Sequence, residues 1–124
     1  MMTPGLTHTS SLLVTEEKTA RKIGSGDLPV LATPAMLALM ENAAMLAVAK
    51  ELPEGSTTVG AQIASTHLLP TAIGRIVKAT ALLTDIEGRK LTFTLSASDD
   101  EGRLLGEGTH TRYIVDCNKF MSKL

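Results

Sequence analysis

The stretch PAMLALMENAAMLAVAKE, Pro34 to Glu51, decides the fold. It is full of Ala, Leu and Met, the strong helix formers. Thr33 is an acceptable N-cap and Pro34 suits the first helical position. Pro53 and Gly55 end the run. Between Ala35 and Ala49 only Glu41 and Asn42 are polar. A helix apolar nearly all round must be buried on most sides.

Working outward, MMTPGLTHT (1–9) reads as a flexible start. SSLLVTEEKTA, Ser10 to Ala20, has strand-like β-branched residues. Gly24, Gly26 and Pro29 make a loop of about 22–33. After the helix come four strand candidates, Ser56–Leu68, Arg75–Ile86, Leu91–Ser98 and Leu104–Cys117. They are separated by a break at 70–74 and turns at 87–90 and 99–102. Leu91, Phe93, Leu95 and Ala97 alternate with Thr92, Thr94, Ser96 and Ser98. Gly106 and Gly108 suggest a bulge or a close approach. The tail 118–124 is short. Hairpin connections make the last four strands antiparallel neighbours.

One helix apolar on every side needs a sheet that curls around it. The expectation is an α+β hot-dog fold over 10–124, a curved five-stranded antiparallel sheet wrapped around one long buried helix. Such a sheet has open edges, and edge-to-edge pairing in a dimer removes one. A monomer of 124 residues has little core to spare for a deep pocket. A site at a subunit interface avoids that limit.

Composition excludes several functions. Twelve Lys+Arg against thirteen Asp+Glu leave a net charge of -1, without the basic face of a general nucleic-acid binder. Phe93, Tyr113 and Phe120 are the only aromatics, so base-stacking platforms are excluded as well. No apolar run reaches the roughly 20 residues that span a bilayer. Met1 to Ser11 lacks the pattern of a secretory signal. The lone Cys117 excludes an internal disulfide and fits a reducing cytoplasm. His8, His67, His110 and Cys117 are scattered, so no metal set is expected. With no Walker loop and no GxGxxG, no nucleotide cofactor is indicated either.

Glu41 is the most informative residue. At 100° per residue it shares a helix side with Leu37, Met40, Ala44, Met45 and Val48. Burying a carboxylate unpaired there costs several kcal/mol. Either the helix is partly exposed and Glu41 is solvated, or Glu41 lies at the floor of a site as base or nucleophile. Asn42, about 100° round, fits an amide bonding to a neighbouring loop. His67 shares the strand phase of Val59, Ala61, Ile63 and Ser65 and so points inward. It is a hydrogen-bonded core histidine or, paired with Glu41, part of an acid–base set. Thr33 caps the helix, and its hydroxyl is near enough to a helix N-terminus to face a substrate. Thr33 and Glu41 stand eight residues apart, about 12 Å of helical rise, so they meet only if the chain before the helix folds back. Gly60 marks a bulge or a backbone approach to a ligand. Arg112 is a solvated edge charge or an anchor for a phosphate or carboxylate.

Three segments carry a family resemblance: GSGDLPVLATPAMLALMENAA from Gly24, VGAQIASTHLLPTAIG from Val59 and GEGTHTRYIVDCNKF from Gly106. Over roughly 10–122 the chain resembles hot-dog thioesterases of the fluoroacetyl-CoA thioesterase-like group. The resemblance implies a homodimer, or a dimer of such dimers, that hydrolyses an acyl-CoA thioester. It implies Thr33, Glu41 and His67 as the catalytic set, with Gly60 and Arg112 binding substrate. The carboxylate would attack the thioester or, with the imidazole, activate water. The resemblance also implies a phenylalanine lid before the helix, but residues 22–33 hold no aromatic. A general short or medium acyl-CoA is therefore expected, with Leu31, Met36, Leu37 and Met40 lining its apolar tail. Two other functions suit the same fold: an acyl-thioester hydratase or dehydratase, and a non-catalytic acyl-thioester binding protein.

Overall fold

The computed structural model describes residues 2–124. Strand β1 (Thr7–Leu13) leads through a turn of 3-10 helix into the short helix α1 (Ala20–Ile23). The long helix α2 (Thr33–Val48) follows. Four strands come next: β2 (Ser56–Ser65), β3 (Ile76–Glu87), β4 (Lys90–Asp99) and β5 (Leu104–Asp116). Helix α3 (Cys117–Ser122) closes the chain. The five strands form one antiparallel sheet in the order β1-β3-β4-β5-β2, curled about α2 in the hot-dog manner.

Helix α2 packs chiefly on β1 and β3. It buries Ala35, Met36, Leu39, Met40, Ala43, Ala44 and Val48. The facing rows are Val77, Ala79, Ala81 and Leu83 of β3 and Leu91, Phe93, Leu95 and Ala97 of β4, all buried. The small Ala side chains on both surfaces let helix and sheet approach closely. Phe93 is the one large aromatic in this core.

Three expectations are corrected. The strand expected from Ser10 begins at Thr7. Leu83 N–H donates to the Leu6 carbonyl and Gly5 N–H to the Leu83 carbonyl, each at 2.8 Å, which docks this segment on β3. Met1 lies outside the described residues. The four later strands are not sequential neighbours: β2 lies beyond β5 on the far edge. The segment 66–75 crosses the sheet, while only β3–β4 and β4–β5 are joined by tight turns. The cap of α2 is Ala32, and Thr33 is the first residue of the helix itself. Helix α2 is buried on most sides, as its composition implied, and Ala38, Asn42 and Leu46 form its exposed stripe.

Close backbone approach explains Gly106 and Gly108. A Cβ at Gly108 would collide with the Ala64 carbonyl of β2, and one at Gly106 with the carbonyl of Thr66. The register also shifts between Ala97 and Ser98, opposite Leu105, so β5 is bulged where its glycines begin.

Candidate active site

The inward row of β5 is Gly106, Gly108, His110 and Arg112, opposite Ala97, Leu95, Phe93 and Leu91 of β4. Two apolar-facing positions therefore hold buried polar side chains, His110 and Arg112. Their hydrogen bonds run to β2. Arg112 Nε donates to Thr58 Oγ1 at 2.8 Å and Arg112 Nη2 to the Thr58 carbonyl at 2.9 Å. Arg112 Nη1 lies 3.2 Å from His110 Nε2. A buried guanidinium without such partners would cost several kcal/mol.

Glu41 reaches this cluster from the middle of α2. Its Oε2 is 3.6 Å from Arg112 Nη1, an ion-pair contact too long for a direct hydrogen bond. The Arg112 side chain is 8% exposed and that of Glu41 42%, so the carboxylate lies at the mouth of the cluster and the guanidinium at its back. Glu41 is thus neither buried unpaired nor simply solvated. Burial disfavours the charged form of Arg112, and the Glu41 carboxylate favours it. Gly60 completes the group: a Cβ there would stand 2.7 Å from Glu41 Oε2, 3.4 Å from His110 Cε1 and 3.5 Å from Arg112 Nη1. Only a glycine leaves the carboxylate its place against the strand.

A second pair stands at the N-terminal end of the same helix. Thr33 Oγ1 and His67 Nδ1 are 2.6 Å apart. His67 Nε2 is buried and has no well-formed hydrogen-bond partner among the described residues. Burial lowers the His67 pKa, with the Leu69 backbone acting in the opposite direction. The imidazole is therefore kept in its neutral form, able to take up a proton. The pair opens onto a cleft of about 290 Å³ lined by Val30, Leu31, Leu68, Leu69 and Pro70 among others. Because Thr33 and Glu41 belong to one continuous helix, the chain does not fold back between them. Within one chain the Thr33–His67 pair and the Glu41–Gly60–Arg112 group remain about 12 Å apart along the helix axis.

The inward phase expected for β2 needs one correction. Val59 pairs with Tyr113 and Gly60 with Arg112, but Gln62 pairs with Thr111, so Ala61 is an extra residue. The inward row is Thr58 and Gly60 before the bulge and Ile63 and Ser65 after it. Seven residues separate Gly60 from His67, an odd number that would set them on opposite faces of a regular strand. The bulge puts both on the same side. Asn42 accepts from Ser10 Oγ at 2.7 Å, a bond to strand β1 rather than to a loop. Sequence reasoning missed Thr58 and His110. The alternation of Gly106, Gly108, His110 and Arg112 was a legible signal for the second.

Comparison with known proteins agrees with this architecture. The family described as "FlK: Fluoroacetyl-CoA-specific thioesterase" matches residues 14–118. A structure of the fluoroacetyl-CoA thioesterase FlK shares 35% sequence identity, with a TM-score of 0.90, covering 99% of this chain and 95% of that one. A mutant of the same enzyme in complex with acetyl-CoA shares 34%, with a TM-score of 0.92 over 98% and 96%. A Thermus thermophilus hypothetical protein described as a thioesterase superfamily member shares 27%, with a TM-score of 0.90 over 98% and 89%. No curated protein matches the chain. Among the described residues no helix is long and apolar enough to cross a membrane. With the match spanning most of its length, the chain belongs to the fluoroacetyl-CoA-specific thioesterase family of hot-dog enzymes, and its reaction is hydrolysis of an acyl-CoA thioester.

Proposed function

We propose that this thioesterase works as a cytoplasmic homodimer on short or medium acyl-CoAs, with Thr33, Glu41 and His67 as its catalytic set and Gly60 and Arg112 binding substrate. The observation that carries the reading is the carboxylate of Glu41 held between Gly60 and the buried Arg112. An exposed carboxylate oxygen beside an open backbone strand is suited to act on a thioester carbonyl carbon. It either attacks that carbon, expelling the CoA thiolate and leaving an anhydride that water cleaves, or takes the proton of an attacking water. The His67 imidazole, which burial makes harder to protonate than usual, is suited to move the accompanying proton, with the Thr33 hydroxyl orienting the ring through Nδ1.

The homodimer is supported by the distance between these two groups. One thioester cannot touch both across about 12 Å. Strand β2 is a free edge, with Ala61, Gln62 and Ala64 exposed. Pairing of two such edges across a homodimer is the arrangement proposed to bring the Thr33–His67 pair of one subunit to the Glu41 group of the other. Each complete site then takes Glu41, Gly60 and Arg112 from one chain and the Thr33–His67 pair from the other. The cytoplasm is supported by the single free cysteine. The breadth of acyl group is supported by residues 22–33, which carry no aromatic to close over a fluorinated acyl group.

Thiol release from a panel of acyl-CoAs tests the reading, with Glu41→Gln and His67→Ala beside the wild type and the mass in solution measured for each. Both variants should lose most turnover while remaining dimeric. Wild-type turnover in Glu41→Gln sinks the assignment. A chain that is monomeric and fully active sinks the shared site.

A further inference from the structure

We propose that His110 is a positioning residue for this reaction, a neutral imidazole whose Nε2 accepts from Arg112 and aims the guanidinium at Glu41. The inference rests on the assignment of Glu41 and Arg112 made above. Its first support is the pairing of the two ring nitrogens. His110 Nδ1 is 2.6 Å from the Gln62 carbonyl oxygen, which can only accept, so Nδ1 carries a hydrogen. Nε2 faces Arg112 Nη1 at 3.2 Å, and a guanidinium nitrogen can only donate, so Nε2 presents its lone pair. Both neighbours select the same neutral tautomer.

The surroundings hold the ring there. The charged groups facing it are Arg112 on its own strand and Glu41 from α2. Strand β2 contributes the Gln62 carbonyl, and β4 contributes the Phe93 ring, with centroids 6.0 Å apart. A second proton on Nε2 would point N–H at N–H and bury two like charges side by side. Burial and Arg112 both oppose that proton, while Gln62 and Glu41 favour it, and the imidazole is left harder to protonate than usual.

The consequence for Arg112 is geometric. Thr58 accepts from Nε and Nη2 with its hydroxyl and carbonyl, which fixes one side of the fork. His110 occupies one direction from Nη1, and the remaining Nη1–H is left toward Glu41 at 3.6 Å. Without His110, Nη1 has no fixed acceptor besides a half-exposed carboxylate, and the pair can swing together out of line.

The test compares His110→Ala, His110→Gln and Glu41→Gln by thiol release from the acyl-CoA the wild type turns over fastest. His110→Ala should lower kcat about tenfold, the effect of leaving a buried donor without its acceptor. His110→Gln keeps an amide oxygen that can accept from Arg112 and should recover most of the loss. Wild-type kcat in His110→Ala, a loss confined to KM, or no recovery in His110→Gln overturns the proposal. Loss in Glu41→Gln with full activity in His110→Ala removes the positioning role alone, whereas full activity in Glu41→Gln removes the site assignment beneath it. Nitrogen-15 NMR of the wild type needs no folded variant. It should show a neutral Nδ1–H ring at His110 at neutral pH. An Nε2–H tautomer or an imidazolium there refutes the role.

Discussion

Replacing Gly60 by alanine puts one methyl group against the Glu41 carboxylate, the group proposed to act on the thioester. Gly60 does not have positive φ, so its backbone accepts alanine without strain. The new Cβ would lie 2.7 Å from Glu41 Oε2, while ordinary contact begins at 3.4 Å. The carboxylate must therefore retreat by about 0.7 Å, because repulsion rises steeply inside van der Waals contact. The obstacle is the far end of a half-exposed, flexible side chain, so the fold yields at little cost. Geometry at the reacting carbon is less forgiving, and a misplacement near 1 Å costs about 10²-fold in rate. Gly60→Ala should then lose about 10²-fold in kcat with its Tm within about 2 °C of wild type. The assay is steady-state thiol release beside a thermal melt. Full kcat at unchanged Tm would show that the carboxylate's position against this strand is irrelevant, and would remove the main support for Glu41 as the acting group.

Thr33→Val removes the hydroxyl that orients His67 and should cut kcat about tenfold, with Thr33→Ser restoring it; equal rates in the two variants would contradict the orienting role. Gly108→Ala drives a Cβ into the Ala64 backbone carbonyl, where nothing flexible can give way. It should lower unfolding free energy by at least about 2 kcal/mol, and an unchanged urea midpoint would be inconsistent with the close approach of β2 and β5. Burial holds His67 and His110 below the ordinary imidazole value of 6.5. The unfolded chain then takes up protons more readily than the folded one as pH falls through that value. The stability these two groups contribute is present above 6.5 and is lost below it. Urea midpoints measured at about pH 7.5 and 5.5 should fall toward acid, less so in His110→Gln; a midpoint that rises toward acid would be incompatible with buried neutral rings.

The parts of this molecule that were legible beforehand are those written in short-range pattern. Helix α2 announced itself by composition, and β4 by strict alternation of Leu91, Phe93, Leu95 and Ala97 with threonines and serines. What escaped was long-range pairing. No local pattern in 56–68 says that β2 lies beside β5 rather than β3, because the chain crosses the sheet through 66–75 before β3 begins. A bulge was one of the two readings of Gly60, but its extra residue, Ala61, is defined only by the pairing of its neighbours with Thr111 and Arg112 on another strand. Glu41 stood out as a carboxylate in an aliphatic stripe, but its partner Arg112 is 71 positions away. The family resemblance pointed to Thr33, Glu41, His67, Gly60 and Arg112. Only the packing showed that they divide into two groups, with His110 and Thr58 behind one of them.

The segment from Arg21 to Pro29 is exposed throughout and adds no side chain to the buried core. It nonetheless leads directly to Val30 and Leu31 at the cleft beside Thr33 and His67. Apart from Gly24, whose positive φ caps α1, side-chain changes in these nine positions leave the packed core of helix and sheet as it is. A segment that borders the cleft without holding up the core is thus free to vary in sequence at a cost within about 0.5 kcal/mol per substitution.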